Sequence, residues 1–358
     1  MIRLVPALHR CCVVPAACIL LLTLAQACGT APAASGTPTP VAVRVGFFPN
    51  ITHSQALIGL ARGDFAEALG LAYTVRPIQF NAGPSAIEAL FAGQIDLAYI
   101  GPNPAANGFV RSQGEALRVV AGATSGGAGL VGRPGTMLAA TLELSGAKIA
   151  TPQLGNTQDI ALRAYLLEHG LQSAEKGGTV QVLPVENPQI LDLFRLGQID
   201  GAWVPEPWAS RLIVEGGGTL LIDERNLWPD GQFATAVVIV ATPFLEAHPQ
   251  AVRAWLEAHV AITLWERENA AEAQSLVNAE IERLTGKALP QEVLQQSWSR
   301  LEPTYDPLAA TIQTSAQHAY EVGYLTEAPR LTGLVDLGLL NEVLAERGLP
   351  AVSIEGTP

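Results

Sequence analysis

Three short runs hold residue types that can bind an anion without a metal. They are Asn50-Ile51-Thr52-His53, Gly83-Pro84-Ser85 and Gly155-Asn156-Thr157-Gln158. Each places small hydrogen-bonding residues where a helical pattern begins. The leading N–H groups of a helix lack intrahelical partners and lie at the positive end of its dipole, so an anion is favoured there. For any single run, ordinary N-capping by Asn, Thr or Ser explains the same residues. Their recurrence in both halves of the chain points to a ligand. A second set, Tyr99, Asn103, Trp203 and Glu206, offers aromatic walls and polar readers for a small organic group. Tyr99 suits a core position as well as a ligand wall. Trp203, just before Pro205-Glu206-Pro207, is the better candidate for contact. Catalytic machinery is weakly represented. His53 is the one histidine in such a loop, while His169, His248, His259 and His318 scatter along helical stretches. No His/Asp/Glu set has metal-ligand spacing, and neither a nucleophile elbow nor a Gly-Lys-Thr/Ser phosphate loop occurs. No catalytic residue, metal or cofactor is expected.

The elements that must carry these runs read as two similar halves. Val41, Val43 and Val45 alternate as in a strand, Pro49-Asn50 breaks it, and Thr52 is placed to cap a helix ending at Gly63. A strand follows over 73–80, a loop over 81–85 and a helix over 86–91. Gly93-Gln94-Ile95-Asp96 then turns into the strand 97–100, which Gly101-Pro102-Asn103-Pro104 ends. About 104 residues later the order recurs, with a strand near Lys148-Ile149-Ala150, a helix over 157–167 and another over 190–196. Gly197-Gln198-Ile199-Asp200 repeats residues 93–96 letter for letter. Two βαβ units alike by chance, or a duplication, would each give this; the shared tetrapeptide and common spacing favour duplication. Strand and helix alternation predicts an α/β fold of two lobes, each a mostly parallel sheet flanked by helices. Ligands of such sheets bind beyond the carboxyl ends of the strands, where the runs above lie. A later strand over 234–241 precedes long amphipathic helices. Ser125–Gly129 and 220–233 are the candidate crossings between lobes.

The first 40 residues address export. Arg3 and Arg10 precede an apolar run from Cys11 to Leu24, and small residues lead to Cys28. This is a secretory signal, too short to span a membrane comfortably. A plain cut after Ala27 fits, and so does a lipoprotein cut that makes Cys28 the acylated first residue. All four cysteines lie in this segment, so the body has no disulfide or thiol chemistry. Removing residues 1–27, which hold two arginines and no acid, takes the net charge from −12 to −14. That balance argues against a nucleic-acid partner. The expected organisation is 1–27 signal peptide, 28–40 lipidated Cys28 and flexible tether, 41–127 first lobe, 128–230 second lobe, and 231–358 a return to the first lobe with C-terminal helices.

Val45-Gly46-Phe47, Phe80-Asn81-Ala82-Gly83-Pro84, Gly93–Ala98, Gly101–Pro104 and Gly197–Pro207 together resemble the nitrate/sulfonate/taurine class of ABC-transporter binding proteins, over about residues 41–250. The resemblance implies a type II periplasmic-binding-protein fold that closes over its solute. Carried over by position, it implies head-group contacts from Asn50, Thr52, His53, Gly83, Pro84, Ser85, Gly101, Pro102, Asn103, Ser125, Asn156, Thr157 and Gln158. Asn187, Trp203 and Glu206 would face the rest of the ligand. Departures from the family pattern are the absence of any basic residue except His53 in these loops and the acid Glu206, which suits a zwitterion such as taurine. The expected protein is a monomeric, exported solute-binding lipoprotein, anchored outside the cytoplasmic membrane. It would deliver a small anionic organic solute to an ABC permease and its ATPase. Aliphatic sulfonates or taurine-like solutes come first, nitrate or a similar oxyanion next. A same-fold enzyme of thiamine-precursor or menaquinone type, and a receptor-docked sensor, are the alternatives.

Overall fold

The computed structural model describes residues 39–354, so the signal, Cys28 and nearly all of the tether lie outside the described residues. Eleven strands are described: β1 Val41–Phe47, β2 Tyr73–Gln79, β3 Leu97–Ile100, β4 Leu117–Gly126, β5 Ala128–Gly132, β6 Lys148–Pro152, β7 Gln181–Val185, β8 Gly201–Pro205, β9 Thr219–Asp223, β10 Ala234–Ala241 and β11 Leu301–Pro303. They form two sheets, ordered β11-β4-β10-β3-β1-β2 and β7-β6-β8-β5-β9. The chain passes from the first to the second between Gly126 and Ala128, and returns through residues 224–233. Gly126 and Gly127 both have positive φ (72° and 77°), which a β-carbon disfavours.

Two α/β lobes are therefore present, and each sheet is mixed. β1 pairs in parallel with β2 and β3, and β6 with β7 and β8. β10 lies antiparallel between β3 and β4, and β5 antiparallel between β8 and β9. In the first lobe the inserted strand is β10, which enters on the return from the second lobe; in the second lobe it is β5, the first strand after the crossing.

The repeat is visible in the register. Val45 and Gly46 of β1 pair with Leu97 and Ala98; Ile149 and Ala150 of β6 pair with Gly201 and Ala202. The Gly-Gln-Ile-Asp turns repeat it atom for atom. Asp96 accepts the N–H of Arg44 at 2.8 Å, and Asp200 that of Lys148 at 2.9 Å. Both turns open on a glycine at positive φ, 63° at Gly93 and 70° at Gly197. The tetrapeptide thus fixes where the third strand of each half joins the first.

Alternation along the strands sends side chains to opposite faces. Leu97 and Tyr99 enter one core of the first lobe, Ala98 and Ile100 the other; Trp203 enters one core of the second lobe, Ala202 and Val204 the other. Buried cores on both faces of each sheet are what flanking helices require. Among the described residues no helix is long and apolar enough to cross a membrane.

Candidate functional site

The loops at the carboxyl ends of β1, β3 and β6, with those after β2, β7 and β8, face one another across the lobes. Three contacts tie them. Trp208 Nε1 donates to Asn50 Oδ1 at 3.1 Å, and Asn81 Nδ2 donates to Glu186 Oε2 at 3.1 Å. A β-carbon built on Gly101 would collide with Thr157 Oγ1. The lobes are thus in contact at the site, and Gly101 is glycine because the second lobe's helix start presses on it.

Capping does not explain the three runs. Asn50 and Asn156 precede their helices in extended backbone, and neither side chain makes a capping hydrogen bond. Thr52 lies inside a 3₁₀ turn, Ile51–His53, and the α-helix starts at Ser54 rather than after Thr52. The helix at the second run starts at Gly83, so Gly83, Pro84 and Ser85 form its first turn. Ser85 is exposed, and its hydroxyl donates to Ala82 O at 2.9 Å. By contrast Asn50, Thr52, His53, Asn156, Thr157, Gln158 and Asn187 are all at most 6% exposed. Thr157 Oγ1 and Asn187 Oδ1 are buried with no hydrogen-bond partner. Buried polar atoms of this kind are costly unless something satisfies them.

Electrostatics at the centre are neutral. His53 stacks on Phe48 with ring centroids 4.5 Å apart, and its Nδ1 accepts the Phe48 N–H at 3.2 Å. Burial pushes its pKa down to about 3, so it is uncharged and its remaining proton is on Nε2. The loop before Thr157 is held by Asp159, which accepts from Thr151 Oγ1 (2.8 Å), Gly155 N (2.9 Å) and Arg163 Nε (3.1 Å). Tyr324 packs against Gly155, whose φ of 76° and missing side chain make room for the ring. Asp159 and Tyr324 were not singled out in the sequence, because a buried carboxylate on a helix reads there like any solvated one.

Several sequence-derived residues stand elsewhere. Trp203 is fully buried in the second lobe's core, tilted against Tyr165, with Nε1 donating to Glu224 at 2.8 Å. Tyr99 is its counterpart in the repeat and is likewise buried, its hydroxyl 2.9 Å from His259 Nδ1. Neither is a ligand wall: the alternation of β3 and β8 turns both inward, and the aromatic that borders the lobe interface is Trp208, 9% exposed, five residues after Trp203. Glu206 does not face an amine in the cleft either. It is wholly buried and paired with Arg300 at 2.9 Å, and it also accepts from Ser297 Oγ and Ser210 N. Asn103 donates to Ser315 O at 2.8 Å, joining the helix Pro102–Arg111, which Pro102 opens, to Ala309–Glu321. Ser125 lies at the crossing, its hydroxyl accepting from Phe233 N at 3.4 Å. Gly127-Ala128-Gly129-Leu130-Val131-Gly132 has dinucleotide-loop spacing, yet it forms the crossing and β5 rather than a strand-to-helix turn.

The pockets agree with this placement. One of about 360 Å³ opens at the rim of the lobe interface beside Asn50, Asn81, Asn187 and Trp208. A larger one of about 950 Å³ lies at the amino ends of β3 and β4, around Arg44, Phe91, Arg118 and the Gly93–Asp96 turn, away from the three helix-start runs. Among the described residues no group of three or more His, Cys, Asp or Glu is placed to hold a metal.

Known proteins are similar to this chain in sequence and architecture. The chain is 27% identical to the taurine-binding periplasmic protein of Escherichia coli (strain K12) over 205 residues, 57% of this chain and 61% of that protein. It thus matches about three fifths of that relative's length. It is 22% identical over 313 residues to a putative aliphatic sulfonates-binding protein of Bacillus subtilis (strain 168), covering 87% of this chain and 89% of that one. The alkanesulfonate-binding protein SsuA from Xanthomonas axonopodis pv. citri, solved bound to MOPS, superposes with a TM-score of 0.70 at 20% identity, covering 84% of this chain and 99% of that chain. That likeness shows the fold, the two-lobed type II binding-protein architecture. The model of the NMT1-like family matches residues 36–279, more than half of the chain, and the protein belongs to that family.

Proposed function

We propose that this protein is the extracytoplasmic solute-binding component of an ABC importer, taking a small anionic organic solute between its lobes. An aliphatic sulfonate or taurine-like solute is the first class, and nitrate or a similar oxyanion the second. One observation carries the reading: Thr157 Oγ1 is buried without a partner at a helix start that closes on Gly101. The leading N–H groups of that helix and the hydroxyl beside them suit an oxyanion. With His53 neutral, the head group is held by uncharged donors, each contributing roughly 0.5–1.5 kcal/mol, so several must converge for micromolar affinity. The names of the taurine- and sulfonate-binding relatives support the same class. A permease and its ATPase are the partners such a role requires. Binding without turnover is expected.

A thermal-shift screen of the protein beginning after Cys28 is the test. Small organic sulfonates should raise the melting temperature by mass action. No shift with any oxyanion, alongside a shift with a neutral heterocycle, contradicts the anion reading. The membrane anchor rests on Cys28 alone. Mass spectrometry of membrane-associated protein should find a diacylated N-terminal Cys28; an unmodified Cys28 or a retained Met1 contradicts it.

A further inference from the structure

The rim pocket holds the cations that the centre of the cleft lacks. Arg211 and Lys287 both line it. The Arg211 guanidinium lies 4.7 Å over the Trp208 ring and bonds Glu215 Oε1 at 2.6 Å. Arg195 bonds the other oxygen at 2.6 Å, and Lys287 Nζ stands 3.7 Å from it. Three cations thus share one carboxylate on a chain whose net charge is −12. Glu186, hydrogen-bonded to Asn81, is the acid on the opposite side of the rim. Asn187 lines the same pocket, only 3% exposed, and its Oδ1 has no partner. An indole edge, a buried amide and two cations surround about 360 Å³, within the range of small-ligand sites.

A solute with one anionic head on a two-carbon chain would leave all of this unused. We propose that the solute carries a second anionic group, joined to the first by a flat or apolar segment. The segment lies along Trp208, and the second anion meets Lys287 and Arg211. This rests on the solute-binding reading above and narrows it to organic dianions.

Isothermal titration of the protein beginning after Cys28 separates the two ideas. The probes are methanesulfonate, benzenesulfonate and 3-sulfobenzoate, the last two differing by one carboxylate. The expected result at low salt is 3-sulfobenzoate bound about tenfold more tightly than benzenesulfonate, the size of one charge-assisted contact. Raising the salt should shrink that preference. Lys287→Gln, at a side chain 67% exposed, should cut it to within about threefold. Equal affinities in the native protein, or an unchanged ratio in Lys287→Gln, overturn the subsite. Binding of methanesulfonate alone also overturns it and leaves the sulfonate reading standing. Failure of all three probes contradicts both.

Discussion

At the residue scale, the site depends on how closely two backbones approach. Gly101 leaves no room for a β-carbon beside Thr157 Oγ1. Gly101→Ala, whose φ of −67° any residue adopts, should therefore fold normally and resist closure, weakening solute affinity by tenfold or more. Adding Thr157→Ala removes the colliding oxygen, so the double variant should close where the single one does not. Small-angle scattering with solute present checks this, and equal compaction of Gly101→Ala and the native protein would count against it. The two tryptophans divide differently. Trp203 fills a core and bonds Glu224, so Trp203→Ala should destabilise the fold by about 3–5 kcal/mol. Trp208 also belongs to a core cluster, but it borders the rim pocket and reaches Asn50, so Trp208→Leu, which keeps an apolar side chain there, should cost less stability and act more on affinity. Denaturation and titration of both variants read out the split, and an equal stability loss in the two would contradict it.

At the scale of elements, the helix Pro249–Glu268 carries two buried titratable groups into the first lobe's core. Burial lowers the pKa of His259 to about 4, only partly opposed by its bond to Gly122 O, and raises that of Glu266 to about 8. Their ordinary values are 6.5 and 4.5. Between those values the unfolded chain holds the histidine proton and the folded chain the glutamate proton, so the two effects cancel. Above pH 6.5 the unfolded histidine is neutral while folded Glu266 keeps its proton. Stability then falls up to about pH 8, by roughly 1 kcal/mol per pH unit. Glu224, raised by burial to about 7, adds to the decline. Glu266→Gln should flatten this alkaline decline in denaturation curves taken between pH 6.5 and 8.5; an unaltered slope would contradict it. Much at this scale is legible in the sequence. The alternation of Val41, Val43 and Val45, the doubled Gly-Gln-Ile-Asp and the later amphipathic helices all stand where the patterns put them. The helix Pro102–Arg111 is not legible, because two prolines and Gly108 weigh against a helix, although Pro102 needs no intrahelical partner at its first position. β4 and β5 hide as a Gly-rich crossing. The site is half legible: the Thr157 helix start meets Gly101 and Asn50 meets Trp208, but Ser85 stays exposed, β8's inward face takes Trp203 away, and Arg300, distant in sequence, takes Glu206.

At the scale of the molecule, a repeated strand-and-helix order gives two lobes joined by two crossings, with strand-end loops of one in contact with those of the other. Where the lobes meet, polar atoms of both are buried, and Thr157 Oγ1 and Asn187 Oδ1 are among those without partners. The claim that an oxyanion sits at the Thr157 helix start, facing Gly101, is tested most directly by the crystal structure of the protein grown with a small organic sulfonate. The account expects sulfonate oxygens within hydrogen-bond distance, about 2.7–3.2 Å, of Thr157 Oγ1 and of the N–H groups at that helix start. A sulfonate bound instead in the 950 Å³ pocket around Arg44, Phe91 and Arg118, with the lobe interface unchanged, would contradict it.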